Sequence, residues 1–204
     1  MRRRLFDAWS AVYDAPAVQA AIYRPVHDVV FGRLWEARPE VVLDLGCGTG
    51  LLTTRLAGSL GARLVVGCDL SAGMLQQAAE RSRTARWVQG DAMQLPLRDG
   101  SADAVVSTES FHWIPDQAAA VADAHRVLRP GGHLVIGMVT PRTRVAGRLA
   151  AAASQAIGQQ PHWPTPSELD GLLTGAGFDR PEHLAVRRVG SALVPTRVVV
   201  ARRR

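Results

Sequence analysis

The chain of 204 residues contains no lysine, so all 24 of its lysine-or-arginine cations are arginines. Arg2, Arg3 and Arg4 open it and Arg202, Arg203 and Arg204 close it; these six equal the formal excess of +6, so the body between them is near neutral. Such terminal runs are usually solvated charge, and they argue against a basic face for nucleic acid. Cysteine is scarce as well: Cys47 and Cys68 are the only two, and neither belongs to a Cys-x-x-Cys pair. That excludes a disulfide framework and a cysteine-built metal site. Both sit in apolar surroundings, as buried reduced thiols do, which fits a reducing cytoplasm. No apolar run approaches the length that spans a membrane. The basic start Met1 to Arg4 is not followed by a leader's apolar core, because Asp7, Ser10, Tyr13 and Asp14 interrupt it. Repeats and low-complexity linkers are missing too. What remains is a chain with 47% hydrophobic and 21% charged residues, enough for one well-buried domain. A soluble, cytoplasmic protein is expected.

Short β-branched runs alternate with helical stretches, the pattern of a parallel α/β sheet with helices on both faces. Residues 15–37 read as helical, with Pro25 separating two helices. Val41-Val42-Leu43-Asp44-Leu45 is apolar up to its acidic end, as a strand buried on both faces should be. Further strands are expected at 64–68, 86–89, 104–107 and 133–139. Between them lie helices at 51–60, 71–83 (capped by Ser71) and 116–128, the last stopped by Pro130-Gly131-Gly132. An alanine-rich helix is expected near 144–157 and a Pro/Gly/Gln loop at 158–164. Thr165-Pro166-Ser167-Glu168 has the form of a capping box with proline at the first helical position. Residues 184–189 and 194–201 should close the chain as an antiparallel hairpin at one sheet edge.

The chemistry concentrates at strand ends. The loop Asp44-Leu45-Gly46-Cys47-Gly48-Thr49-Gly50 lies between a strand and a helix, where backbone N–H groups and the positive helix end meet a ligand. Its Gly-x-Gly-x-Gly spacing is not the Gly-x-Gly-x-x-Gly of dinucleotide sites, nor does it carry the Lys-Ser/Thr of a phosphate loop. Asp44 is placed to orient the loop and to reach an ammonium group. Asp69 ends the second strand, where an acid can accept both hydroxyls of a ribose. Asp91 ends the third; with the backbone N–H of Ala92 it can read the edge of an adenine.

These segments, in this order, resemble the class I S-adenosylmethionine-dependent methyltransferases of the small-molecule, type 11-like kind. The matching stretches are Val41 to Gly50, Gly67-Cys68-Asp69-Leu70-Ser71 through Met74-Leu75, and Gly90-Asp91-Ala92 with Leu95-Pro96-Leu97. They continue with Phe111-His112-Trp113-Ile114-Pro115-Asp116 and Leu128-Arg129-Pro130-Gly131-Gly132, and Gly177-Phe178 leads into the sixth strand. The resemblance implies a Rossmann-like, seven-stranded, mostly parallel sheet with its last strand antiparallel. One methyltransferase domain would span residues 1–204: a helical cap (1–38), a cofactor-binding core (39–139), a variable acceptor-site lid (140–177) and a C-terminal β-hairpin (178–204). It assigns Asp44 and the loop residues Gly46, Cys47, Gly48 and Gly50 to the methionine part of S-adenosylmethionine, and Asp69 to the ribose. Leu70 and Met74 would lie near the adenine, Asp91 and Ala92 on its edge, and Ser107 and Thr108 under the sulfonium. Tyr13 matches a tyrosine that covers the cofactor in relatives. The product would be S-adenosylhomocysteine.

A hydroxyl acceptor needs a base or a metal, because its neutral form is a poor nucleophile. Glu109, at a place often apolar in relatives, and His112 are the catalytic candidates after the fourth strand. His112 reads equally well as a general base or as a structural histidine. His162 and Trp163 fall in the segment that usually caps the acceptor pocket. Glu109, His112 and Asp116 could also offer ligands to a divalent metal such as Mg, though no spacing demands one. The first expectation is O-methylation of a sugar, glycoside or phenolic small molecule. The alternatives are a nitrogen, carbon or sulfur acceptor, and a non-catalytic cofactor-binding partner protein. The Asn/Asp-Pro-Pro-aromatic motif of nucleic-acid methyltransferases is missing from Ser107-Thr108-Glu109-Ser110, so no nucleic acid is expected. A homodimer follows if the alanine-rich helix exposes a flat apolar face.

Overall fold

The computed structural model describes residues 15–155, 161–189, 191 and 195–204. Tyr13 and the rest of 1–14 lie outside the described residues, as do the expected helical residues 156 and 157. Seven strands form one sheet in the order β3-β2-β1-β4-β5-β7-β6. They are β1 Val41–Leu45, β2 Leu64–Asp69, β3 Arg86–Gln89, β4 Ala102–Thr108, β5 Leu128–Val139, β6 Glu182–Val186 and β7 Thr196–Arg202. Neighbours from β3 through β5 are parallel, and β7 runs antiparallel to both β5 and β6. The six longer helices are α1 Arg24–Ala37, α2 Leu51–Ser59, α3 Ala72–Arg81, α4 Gln117–Val127, α5 Arg144–Gln155 and α6 Pro166–Gly175.

The period-2 alternation of strand side chains sorts the core into two layers. Leu43, Leu45, Val105, Leu134, Ile136 and Met138 face α4 and α6, packing with Val121, Ala124, Leu169, Leu173 and Phe178. Val42, Ala104, Val106 and Val135 face the other way, onto Val26, Val30 and Leu34 of α1 and Leu52 and Leu56 of α2. Every residue of β1 is buried, which is why it reads as one unbroken apolar run.

The capping residues act as their chemistry dictates. Ser71 Oγ accepts from Met74 N at the start of α3, and Thr165 and Glu168 form a complete capping box before α6. Two expectations need correction. Pro25 does not divide two helices: Pro16–Val18, a π-helical turn Gln19–Tyr23 and α1 run on continuously. The wider turn, closed by Arg24 N to Gln19 O, takes up the missing N–H and the ring bulk of Pro25. The fifth strand begins at Leu128 rather than His133. Arg129 precedes a proline and so favours extended backbone, and Gly131 and Gly132 exchange hydrogen bonds with Arg203. Among the described residues no helix is long and apolar enough to cross a membrane. The amphipathic α5 leaves Val145 and Leu149 exposed.

Candidate functional site

The sheet order reverses direction between β1 and β4, and ligands of open α/β sheets settle at the carboxyl ends of strands flanking such a switch. The glycine loop leaves β1 at that point. Gly46 N and Cys47 N both donate to Cys68 O at the end of β2, folding the loop across its neighbour. Gly46, Gly48 and Gly50 all adopt the left-handed backbone, with φ of 69°, 54° and 77°. Two of them are also hemmed in: a Cβ at Gly46 would stand 2.5 Å from Ser110 Oγ, and one at Gly50 would stand 2.4 Å from the Trp87 ring. At Gly48 a Cβ would meet nothing within 4 Å. The middle of the loop therefore faces open space with its backbone bare, the geometry required for close approach of a ligand.

Asp69 holds the loop in this shape. One carboxylate oxygen accepts from Gly48 N and the other from Ser71 N, each at 2.8 Å. Burial pushes its pKa up, and the N–H groups of Ser71, Gly48 and Leu70 oppose that shift. Each oxygen keeps a second lone pair for a ribose hydroxyl. Leu70 beside it is 51% exposed, an uncovered apolar side chain where an adenine would lie, and Met74 is half-buried one helical turn on. Asp91 makes a tight turn by accepting from Met93 N at 2.9 Å, and Ala92 sits half-buried within it.

Asp44 is the most deeply buried acid of the set. It lies under the loop, 1% exposed, and accepts from Thr53 Oγ1 at 2.5 Å. Burial lifts its pKa to about 7. It ties β1 to α2. Cys68 is buried and Cys47 half-buried, and desolvation raises both thiols, Cys68 to about 12. Ser107 is buried at the end of β4 and shares a hydrogen bond with Ser110, which in turn donates to Leu45 O. Thr108 is buried beside it. Ser110 escaped sequence reading, since only the fold brings it against Gly46.

The two catalytic candidates are both engaged. Glu109, with φ of 50°, pairs with Arg188 Nη1 at 2.7 Å, and the two side chains are only 9% and 7% exposed. Burial pushes the Glu109 pKa up, while Arg188 and the Val139 N–H pull it down. A carboxylate so bound is not a free base. The His112 ring stacks on Trp163 with centroids 3.7 Å apart and planes 15° from parallel. Burial lowers its pKa to about 3, far below the value that suits a general base. His112 O accepts from His162 N, and Gln117 Nε2 donates to Phe111 O and His162 O, so segment 161–164 is fastened over the loop after β4. The metal candidates are not gathered either: Asp116 caps α4 by accepting from Ala119 N. Among the described residues no three His, Cys, Asp or Glu side chains form a metal-binding group.

The family described as "Methyltransferase domain" matches residues 43–136, the stretch that carries the loop, Asp69, Asp91 and the end of β4. Over these residues the chain carries a methyltransferase domain. It is 36% identical over 140 residues to the malonyl-[acyl-carrier protein] O-methyltransferase of Hahella chejuensis, covering 68% of this chain and 49% of that one. The chain thus spans about half the length of that curated relative. Two solved structures share the fold. The methyltransferase solved with the Trm112 activator of Haloferax volcanii has a TM-score of 0.77 at 21% identity, covering 97% of this chain and 96% of that one. The magnesium protoporphyrin IX methyltransferase of Synechocystis, solved with bound S-adenosylhomocysteine, has a TM-score of 0.75 at 20% identity, covering 98% and 95%. The residues present fit the family's cofactor. They offer a bare glycine loop, a strand-end carboxylate with free lone pairs, an exposed apolar side chain and a second acidic turn, at the ends of three adjacent strands.

Proposed function

We propose that this chain methylates an oxygen of an acceptor that arrives already ionised, and that the acceptor group is a carboxylate. The observation that carries this is the state of the two candidate bases: Glu109 is bound to Arg188, and His112 is buried, stacked and held neutral. A hydroxyl of a sugar or glycoside must lose a proton as it attacks, and neither group is poised to take it. A carboxylate needs no such help at neutral pH. The name of the Hahella chejuensis relative, an O-methyltransferase of a malonyl group on a carrier protein, supports the same chemistry.

Asp69 and the Gly46–Gly50 loop would hold the ribose and methionine parts of S-adenosylmethionine, and Leu70, Asp91 and Ala92 its adenine. Bound there, the cofactor would supply a sulfonium-activated methyl group to the acceptor oxygen, so that a carboxylate would become a neutral ester and the sulfonium a neutral thioether. No proton is released. The protein's share is alignment and exclusion of water, which together supply about 7–11 kcal/mol of such barriers. The fastened segment 161–164 would provide the exclusion. Tyr13 would close the cofactor side, and the setting would be the cytoplasm.

The test is an acceptor panel of carboxylic acids, phenols, sugars and amines, read by release of S-adenosylhomocysteine with and without EDTA. Turnover of acids, indifferent to EDTA, is expected. Turnover confined to sugars or amines would overturn the carboxylate assignment.

A further inference from the structure

Glu109 and Arg188 meet at the carboxyl ends of β4 and β5, next to Thr108 and against the Val139 N–H. Arg188 Nη1 also donates to Ile22 O in the π-helical turn before α1. One enclosed guanidinium thus joins three separate walls on the acceptor side of the site. Two features are out of keeping with a purely structural pair. Glu109 is a non-glycine residue at φ of 50°, a conformation that costs roughly 1–2 kcal/mol and collects at functional sites. A buried ion pair also adds little net stability, because desolvation cancels most of the attraction.

What such a pair does well is exchange. A guanidinium that already holds one carboxylate has the geometry to hold another, and it discriminates against a neutral group. We propose that Arg188 is the carboxylate-binding residue of the acceptor pocket, and that Glu109 is its built-in occupant, displaced when an acceptor carboxylate enters. This rests on the carboxylate reading above. Glu109 retains the hydrogen bond from Val139 N when displaced. Methylation then removes the acceptor's charge, the neutral ester loses its hold on Arg188, and Glu109 re-forms the pair as the product leaves.

The sign of one substitution tests this. The full chain, loaded with S-adenosylhomocysteine, is titrated by calorimetry with malonyl-N-acetylcysteamine and with its methyl ester. Glu109→Gln removes the competitor and should tighten acid binding by roughly tenfold, about one charge-assisted hydrogen bond, while ester binding stays unchanged. Arg188→Met, made in the Glu109→Gln background so that no buried charge is stranded, should abolish the preference for acid over ester. Both variants should bind S-adenosylhomocysteine as the parent does. Equal or weaker acid binding by Glu109→Gln, in a chain that still prefers acid to ester, overturns the exchange and leaves the carboxylate reading standing. A parent chain with no preference for acid over ester overturns both.

Discussion

On the cofactor side, around β1, β2 and β3, the two strand-end acids Asp69 and Asp91 bond to backbone groups close in sequence. Gly48 and Asp69 are 21 residues apart, and Ser71 and Met93 bond to acids two residues before them. On the acceptor side, around β4 and β5, partners come from far away. Glu109 and Arg188 are 79 residues apart, Arg188 and Ile22 are 166 apart, and Gln117 reaches His162 across 45. The first side is built mainly from turns at the ends of neighbouring strands, whose glycines and acids stand out in the amino acids. The second is a product of tertiary packing, where the same residue types could have been arranged otherwise.

The largest effect that would sharpen this contrast comes from Asp69→Ala. It removes the acceptor of two backbone N–H groups and of the ribose hydroxyls, so affinity for S-adenosylmethionine should fall by roughly a hundredfold, measured by calorimetry. A loss below about threefold would break the cofactor half of the comparison. Next comes a pair of alanines within one loop. Gly46→Ala forces a Cβ against Ser110 Oγ at positive φ, so it should cost about 2–3 kcal/mol of stability by urea unfolding. Gly48→Ala meets open space and carries only the backbone penalty, about 1 kcal/mol, yet should weaken cofactor binding the more sharply relative to its stability cost. Equal behaviour of the two would mean that the middle of the loop does not face the ligand.

The same division explains what could be read from the amino acids. The succession of strands and helices along the chain, the Ser71 cap, the capping box at Thr165 and the terminal hairpin were legible, because each depends on local periodicity or on neighbouring residues. Asp69 was legible as a strand-end acid. The π-helical turn at Gln19–Tyr23 was not, since a proline inside a helical pattern reads as a break unless the preceding turn widens. Asp44 was legible in position, but its bond from Thr53, nine residues on, was not. Glu109 and His112 carried the chemistry of bases, but Arg188 and Trp163, which change that chemistry, could not be connected to them from sequence. A side chain's pKa belongs to its surroundings, and those surroundings are tertiary.

The most direct test of the ionised acceptor is the pH dependence of kcat for the best acceptor, in the parent chain and in His112→Gln. The His112 imidazole is held to about 3 by burial, so it is neutral and unchanging from pH 5 to 9. The predicted result is a flat rate across that range and a His112→Gln profile of the same shape. A rate that rises through a group of pKa between about 6 and 7, and loses that rise in His112→Gln, would show a working base and contradict it.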